Sequence, residues 1–310
     1  MSIRVLGGVG VEGASWRSLR GHAATILAMM SAAPTAGVSV DSLMEAMWPG
    51  GSNATARGSI QRYVSELRKV TGADRIVTTS IGYRLEAGVD DLDSLRFESQ
   101  VERGTGLIAR RKSVDAIGVL RDALATWGTP YGGIDSHESL VLSAHRLDAV
   151  RITAEDGLLA SLLDCGENCT AIERCRRLIL EDVYNEKWWG YLVLALYRSG
   201  RQATALTEYQ RIKRLLGDEL GIEPGSRLQR LEEQILLHDP DLDFDAPVSG
   251  PSQDVTPGSL WDTRPYRWSP WSRPSRTCDR AGAFSFAPDR RDRRAGRCRE
   301  GPAWPLDPQD

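Results

Sequence analysis

No apolar run in the 310 residues approaches the ~18 consecutive positions that a membrane-spanning helix needs. Cysteine is scarce. Five are present, an odd number without regular spacing, which fits a reducing cytoplasm rather than a disulfide scaffold. The N-terminal stretch has no basic segment followed by an apolar one, so no secretory signal is expected. Histidines number only four and are scattered, and no Ser/His/Asp or paired-carboxylate group can be assembled from local motifs. No enzymatic activity is expected. No GxxxxGK[ST] stretch is present to cradle phosphates, and no cofactor is expected. Cys165, Cys169 and Cys175 lie close together, yet a CxxxC followed by five residues and a third cysteine is not a standard zinc spacing, and no histidine lies near.

What is present is an uneven distribution of charge. The chain is net -3, but residues 1–90 hold nine Lys/Arg and seven Asp/Glu, residues 91–245 are net -8, and residues 246–310 are net +3. A mildly basic head on an acidic body suits a nucleic-acid reader joined to a protein-binding module. The head concentrates its cations in "TARGSIQRYVSELRK" (55–69), with Arg57, Arg62, Arg68 and Lys69 against the single acid Glu66.

The first ninety residues read as a small α+β unit. "IRVLGGVGV" (3–11) is a Gly-interrupted strand with a turn, and "SWRSLR" (15–20) is its partner. His22 to Ala33 forms an apolar helix ending before Pro34, and Val40 to Trp48 a second, with Asp41 as candidate N-cap. "PGGSN" (49–53) breaks the chain. The third helix, capped by Ser52 or Asn53, repeats Ala56, Ile60, Tyr63 or Val64, and Leu67 at spacings of three and four, so these face a core. "RIVTTSIGYRLEA" (75–87) gives two β-rich runs around Ile81-Gly82, a hairpin. Strands, three helices and a terminal hairpin make a winged helix-turn-helix. Arg and Lys neutralise phosphates, and Arg and Gln fork onto base edges in the major groove, so a duplex explains the polar face of the third helix. A solvated face that serves only solubility is the competing reading.

From 91 to about 240 helical periodicity dominates. "CGENCTAI" (165–172) and "SGRQATAL" (199–206) align so that Gly166 and Ala171 match Gly200 and Ala205, 34 residues apart. "RKSVDAIGVLRDAL" (111–124) is an earlier copy. A 34-residue period with a small residue where helices cross is the tetratricopeptide signature of stacked helix pairs. "YNEKWWGYLVLALYRSGR" (184–201) supplies the first helix of the last pair, with Trp188, Leu192, Ala195 and Leu196 inward as core rather than ligand box. Trp127 and "GTPYGGI" (128–134) form a long insertion between the first two pairs. Gly221 ends one helix, and another starts after Pro224 and runs to about His238.

These segments, above all "VSVDSLMEAMWPG", "ATARGSIQRYVSELRK", "DRIVTTSIGYRLEA", "ALYRSGRQATALTEYQRIKRLLGDELGIEPG" and "LEEQILLHDPDL", resemble the Streptomyces antibiotic regulatory protein family. The resemblance implies an OmpR-type winged helix over 1–90, then a tetratricopeptide-like bacterial transcriptional activation domain over 91–243. It also implies a cytoplasmic activator of a secondary-metabolite gene cluster. Its partners would be double-stranded DNA carrying direct repeats, RNA polymerase, and a second protomer on that DNA. Carried over by position, the recognition helix is Ala54 to Thr71. Arg57, Ser59, Gln61, Arg62 and Ser65 lie near bases or phosphates, with Arg68 and Lys69 as phosphate contacts at its end, and Arg75, Thr78, Thr79 and Arg84 in the wing. Gly58 stands where a bulkier residue is usual. A repressor, or a helical scaffold whose winged helix has lost DNA affinity, remains the alternative.

The tail ends the resemblance. Residues 246–310 hold ten of the fifteen prolines, four of the nine tryptophans and eleven arginines but no lysine, so 244–310 is expected to be disordered. That composition is what a GC-rich gene gives when read out of frame, as in a frameshifted remnant. The other reading is that "DRRDRRAGRCR" (289–299) is a phosphate-binding arm.

Overall fold

The computed structural model describes residues 2–13, 15–51 and 55–243. The expectation of a disordered tail over 244–310, and the Ser52 and Asn53 caps, fall outside the described residues.

Short strands β1 (Ser2–Arg4), β2 (Gly10–Glu12) and β3 (Trp16–Ser18) form an antiparallel sheet in that order. Helix α1 (Gly21–Ala32) follows, buried continuously from Ala24 to Ser31, so it is the central element on which its neighbours pack. Strand β4 (Val38–Ser39) leads into α2 (Val40–Met47). The N-cap of α2 is Ser39 rather than Asp41: its backbone is extended by pairing with the wing, and its hydroxyl accepts the Ser42 N–H at 3.0 Å. Asp41 lies in the first turn instead. Helix α3 (Ala56–Thr71) and the hairpin β5 (Ile76–Thr78) and β6 (Gly82–Leu85) complete a winged helix-turn-helix, with sheet order β4-β6-β5.

The remainder is helical. Three pairs, α4 (Asp93–Ala109) with α5 (Ser113–Ala125), α6 (Glu138–Asp164) with α7 (Asn168–Glu181), and α8 (Glu186–Arg198) with α9 (Gln202–Leu215), are followed by a π turn at Leu216–Leu220 and by α10 (Ser226–Leu236). Helices α7 and α9 keep the 34-residue offset along their whole length, and Ala171 and Ala205 are fully buried at matching positions. Trp188, Leu192, Ala195 and Leu196 are buried as expected. No helix among the described residues is long and apolar enough to cross a membrane.

The turn within each pair has one construction. Glu167 N–H reaches Leu162 O and Arg201 N–H reaches Leu196 O, each across a glycine at φ 74°, Gly166 and Gly200. Lys112 N–H reaches Leu107 O in the same way, but the left-handed position is held by Arg111 at φ 56°. These are Schellman closures, and the first pair makes its closure without the glycine that suits it.

The winged helix-turn-helix and the helical body share a joint built on residues 3–7. Ile3 N–H donates to Asp91 O at 2.6 Å and Gly7 N–H to Thr129 O at 3.0 Å, while Val5 O accepts Tyr131 N–H at 2.6 Å. The Asp93 carboxylate, in the first turn of α4, accepts Val5 N–H at 2.8 Å and Leu6 N–H at 3.0 Å. Burial pushes the Asp93 carboxyl above its ordinary value, against the backbone N–H groups of Leu6, Val5 and Ser94 that favour its charge. The "GTPYGGI" insertion is therefore a structural clamp. Gly128 lies so close to the strand that a Cβ there would stand 2.5 Å from Gly7 Cα, the Tyr131 hydroxyl meets Ser143 Oγ at 2.8 Å, and Trp127 packs on Phe97 with ring centroids 4.9 Å apart.

In urea titrations, Gly200→Ala should cost about 1 kcal/mol through backbone strain alone, since a Cβ there meets nothing within 4 Å. Arg111→Gly should gain up to about 1 kcal/mol. Asp93→Asn, which can accept only one of the two strand N–H groups well, should cost on the order of 1–3 kcal/mol. An Asp93→Asn stability equal to that of the unsubstituted chain would mean that the joint does not bear on folding.

Candidate nucleic-acid interface

Helix α3 buries Ala56, Ile60, Val64, Leu67 and Thr71 against α1 and α2 and turns the opposite stripe outward. Arg57, Gln61, Arg62, Ser65 and Lys69 are exposed, and Ser59 is half-buried at the edge. The stripe is aligned by an aromatic stack: the His22 ring meets Trp48 at 5.1 Å and Tyr63 at 5.6 Å, both edge to face. This stack pins α1, the end of α2 and α3 together. The Arg62 guanidinium lies 5.0 Å from the Tyr63 ring centroid, on the outer face, with no acid partner among the described residues. Lys69 has no partner among the described residues and sits in the last turn, where a cation also complements the helix dipole.

The other candidates have work inside the protein. Arg57 Nη2 lies 3.2 Å from Asp41 Oδ1, both side chains being largely exposed, so solvent and salt leave this pair easily exchanged for a phosphate. Arg68 is different. Its Nε and Nη2 donate to Ile76 O at 2.9 and 2.7 Å, and Nη2 also donates to Thr78 Oγ1 at 2.9 Å. One side chain at the end of α3 thus braces the wing strand β5. Arg75 Nη2 reaches Asp91 Oδ1 at 2.5 Å, tying the foot of the wing to the joint. The Gly88 N–H and then Arg75 hold the Asp91 carboxyl below its usual range, a contribution to stability that is lost as pH falls through the lowered value. Arg84 pairs with Glu86. Thr79 closes the wing turn, its hydroxyl accepting Gly82 N–H at 3.1 Å.

The structure therefore gathers Arg57, Gln61, Arg62, Ser65 and Lys69 on one open face, with Ser59 at its edge. It sets Arg68, Arg75, Thr78, Thr79 and Arg84 in and around the wing, with internal bonds. Sequence reasoning passed over Ile81, which is 64% exposed at the wing tip. Its signal was the turn itself, where an apolar side chain has no core to face. Among the described residues no group of three or more His, Cys, Asp or Glu is placed to hold a metal ion. Cys175 is fully buried, and burial pushes its thiol up to about 12, while Cys165 is half-buried and Cys169 exposed.

The architecture is thus a winged helix-turn-helix with an open basic face, clamped to a stack of helix pairs. Residues 92–236 match the family model for the bacterial transcriptional activator domain. Transcriptional regulatory protein EmbR of Mycobacterium tuberculosis is 32% identical over 222 residues, 69% of this chain and 57% of that protein. Regulatory protein DnrI of Streptomyces peucetius is 28% identical over 222 residues, 68% of this chain and 82% of that protein. Among solved structures, Mycobacterium tuberculosis EmbR in complex with a low-affinity phosphopeptide superposes with a TM-score of 0.71 at 29% identity, over 77% of this chain and 65% of that one. The chain thus spans little more than half the length of EmbR. The chain is similar to members of the Streptomyces antibiotic regulatory protein family, and the matched relatives are transcriptional regulators.

Thermal melts separate the two basic residues at the end of α3. Arg68→Ala removes three hydrogen bonds from a half-buried donor and should cost roughly 1–3 kcal/mol, whereas Lys69→Ala should stay within about 0.5 kcal/mol. Gly58→Ala should gain up to about 1 kcal/mol, since its Cβ would enter open space.

Proposed function

We propose that this chain is a DNA-binding transcriptional activator that reads direct repeats near a promoter, in the cytoplasm, and contacts RNA polymerase to switch on a secondary-metabolite gene cluster. The observation that carries the reading is the outer stripe of α3. An acidic protein places Arg57, Arg62 and Lys69 there with Gln61 and Ser65 between them, on a helix whose orientation is fixed by packing. Cations at the ends of such a stripe neutralise phosphates and so set register, while Arg and Gln near its middle can read guanine and adenine edges. The braced wing offers Ile81 and its neighbouring hydroxyls to the flanking groove.

One such reader discriminates modestly, because each bidentate base contact contributes about 1–3 kcal/mol. Two protomers on adjacent repeats would combine their binding through effective concentration, which is the reason to expect a repeated operator. The domain boundaries that serve this reading are a reader over 1–90 and an activation domain over 91–243, with the Arg75–Asp91 pair at the border between them.

Selection of bound duplexes from fragmented genomic DNA, followed by anisotropy titration of the enriched sequence at several salt concentrations, tests the proposal. A direct repeat should be enriched, with log K falling against log salt at roughly -0.9 per phosphate contacted. Arg62→Ala should weaken binding by about tenfold or more, and Lys69→Ala should reduce the slope by about one contact's worth. No enriched sequence, together with affinity and salt slope unchanged in both variants, would remove α3 as the reading element.

A further inference from the structure

Helix α7 turns to solvent a face that its neighbours leave uncovered. Glu173, Arg176, Arg177 and Leu180 recur there at helical spacings of three and four, and all are exposed, Leu180 to 86%. The surface is hollow on both sides of that face. One hollow of about 380 Å³ opens between α5, α6 and α7 over Leu158 and Leu162. The other, of about 330 Å³, lies between α7, α8 and α9 over Ile179 and Leu192. They meet at Arg176.

The charge of this groove runs against its surroundings. Five arginines and two glutamates line it, on a body that is net -8 over residues 91–245. Three of the arginines are committed: Arg174 to the buried Glu155, Arg121 to Glu167 at 3.7 Å and Arg211 to Glu208 at 3.6 Å. Arg176 and Arg177 have no ion-pair partner among the described residues. Two free guanidiniums beside an exposed leucine, over two apolar floors, complement a segment of the opposite sign that carries apolar side chains of its own. The basic 246–310 stretch of the same chain, net +3, has the wrong sign to fill it.

We propose that this face of α7 is a docking groove for an acidic amphipathic helix of a partner protein. Carboxylates of the partner bond Arg176 and Arg177, its leucine-type side chains enter the two hollows, and Leu180 packs between them. The two apolar floors set this groove apart from the polar, basic stripe of α3. The groove shares no residue with α3, so its docking function stands apart from the reading of DNA.

The test uses the full chain and two labelled synthetic helices. One is built of glutamate, alanine and leucine with its leucines on one face, and the other is its lysine-for-glutamate counterpart. Anisotropy should show saturable binding of the glutamate peptide, weakened by salt, with the lysine peptide bound at least about tenfold less well. R176E/R177E should lower the affinity by about tenfold or more and Leu180→Ser by a smaller factor, while R103E/R110E, exposed on α4 and at its C-cap, leaves it unchanged. Since Arg176, Arg177 and Leu180 are exposed, the variants should melt with the unsubstituted chain, and their duplex affinity should be unaltered. Failure of the glutamate peptide to bind, equal binding by R176E/R177E, or loss of duplex affinity in that variant would each overturn the proposal, the last by assigning the face to nucleic acid.

Discussion

The Asp93 carboxylate is the point on which the architecture turns. Two backbone N–H groups from residues 5 and 6 converge on it across 88 and 87 positions of sequence, and its own place in the first turn of α4 gives its charge a favourable dipole. The cost is desolvation, visible in the raised carboxyl pKa. A buried anion held by backbone donors tolerates little displacement, because each lost bond strands a polar group. Winged helix-turn-helix and helical body are therefore presented in one fixed relation instead of swinging on a linker. A contact made by the helix pairs is then placed in space by the same geometry that places α3.

The basic residues divide by the same logic. Those that face solvent across α3 have few internal obligations, and those nearer the wing carry the fold. Arg68 couples the end of the helix to β5 through a carbonyl and a threonine hydroxyl, so helix and wing behave as one rigid surface with little conformational freedom left to lose. A corollary concerns exchange of parts between relatives. A wing moved without its bracing arginine, or with a different residue at 78, would arrive at a changed angle.

Much of this was legible in the chain, and the reasons are local. The 34-residue repeat was visible because each pair closes with the same turn and crosses at the same alanine, and the α3 stripe because apolar residues recur every three or four positions. The cap of α2 was misplaced by two residues: Asp41 and Ser39 are both good caps, and only the pairing of β4 with β6 decides between them. The joint was not legible at all. Asp93 carries no signal of its own in the sequence and "GTPYGGI" reads only as an insertion, because their partners lie about ninety and about a hundred and twenty residues away and no periodicity links them. The wing's internal bonds were hidden for the same reason, as arginine looks alike in sequence whether it meets a phosphate or a carbonyl.

The joint also imposes an order on how the chain can reach its native state. The stretch at residues 3–7 leaves the ribosome well before its hydrogen-bond partners at 91–93 and 129–131 are made. Until then the sheet edge is open and the apolar residues 3, 5 and 6 lack their cover. The helix pairs, by contrast, rest on near-neighbour contacts that form quickly. During synthesis the winged helix-turn-helix must wait, incomplete, for the first helix pair and the clamp behind it, and that interval is when nascent chains are most exposed to edge-to-edge association and to chaperone capture.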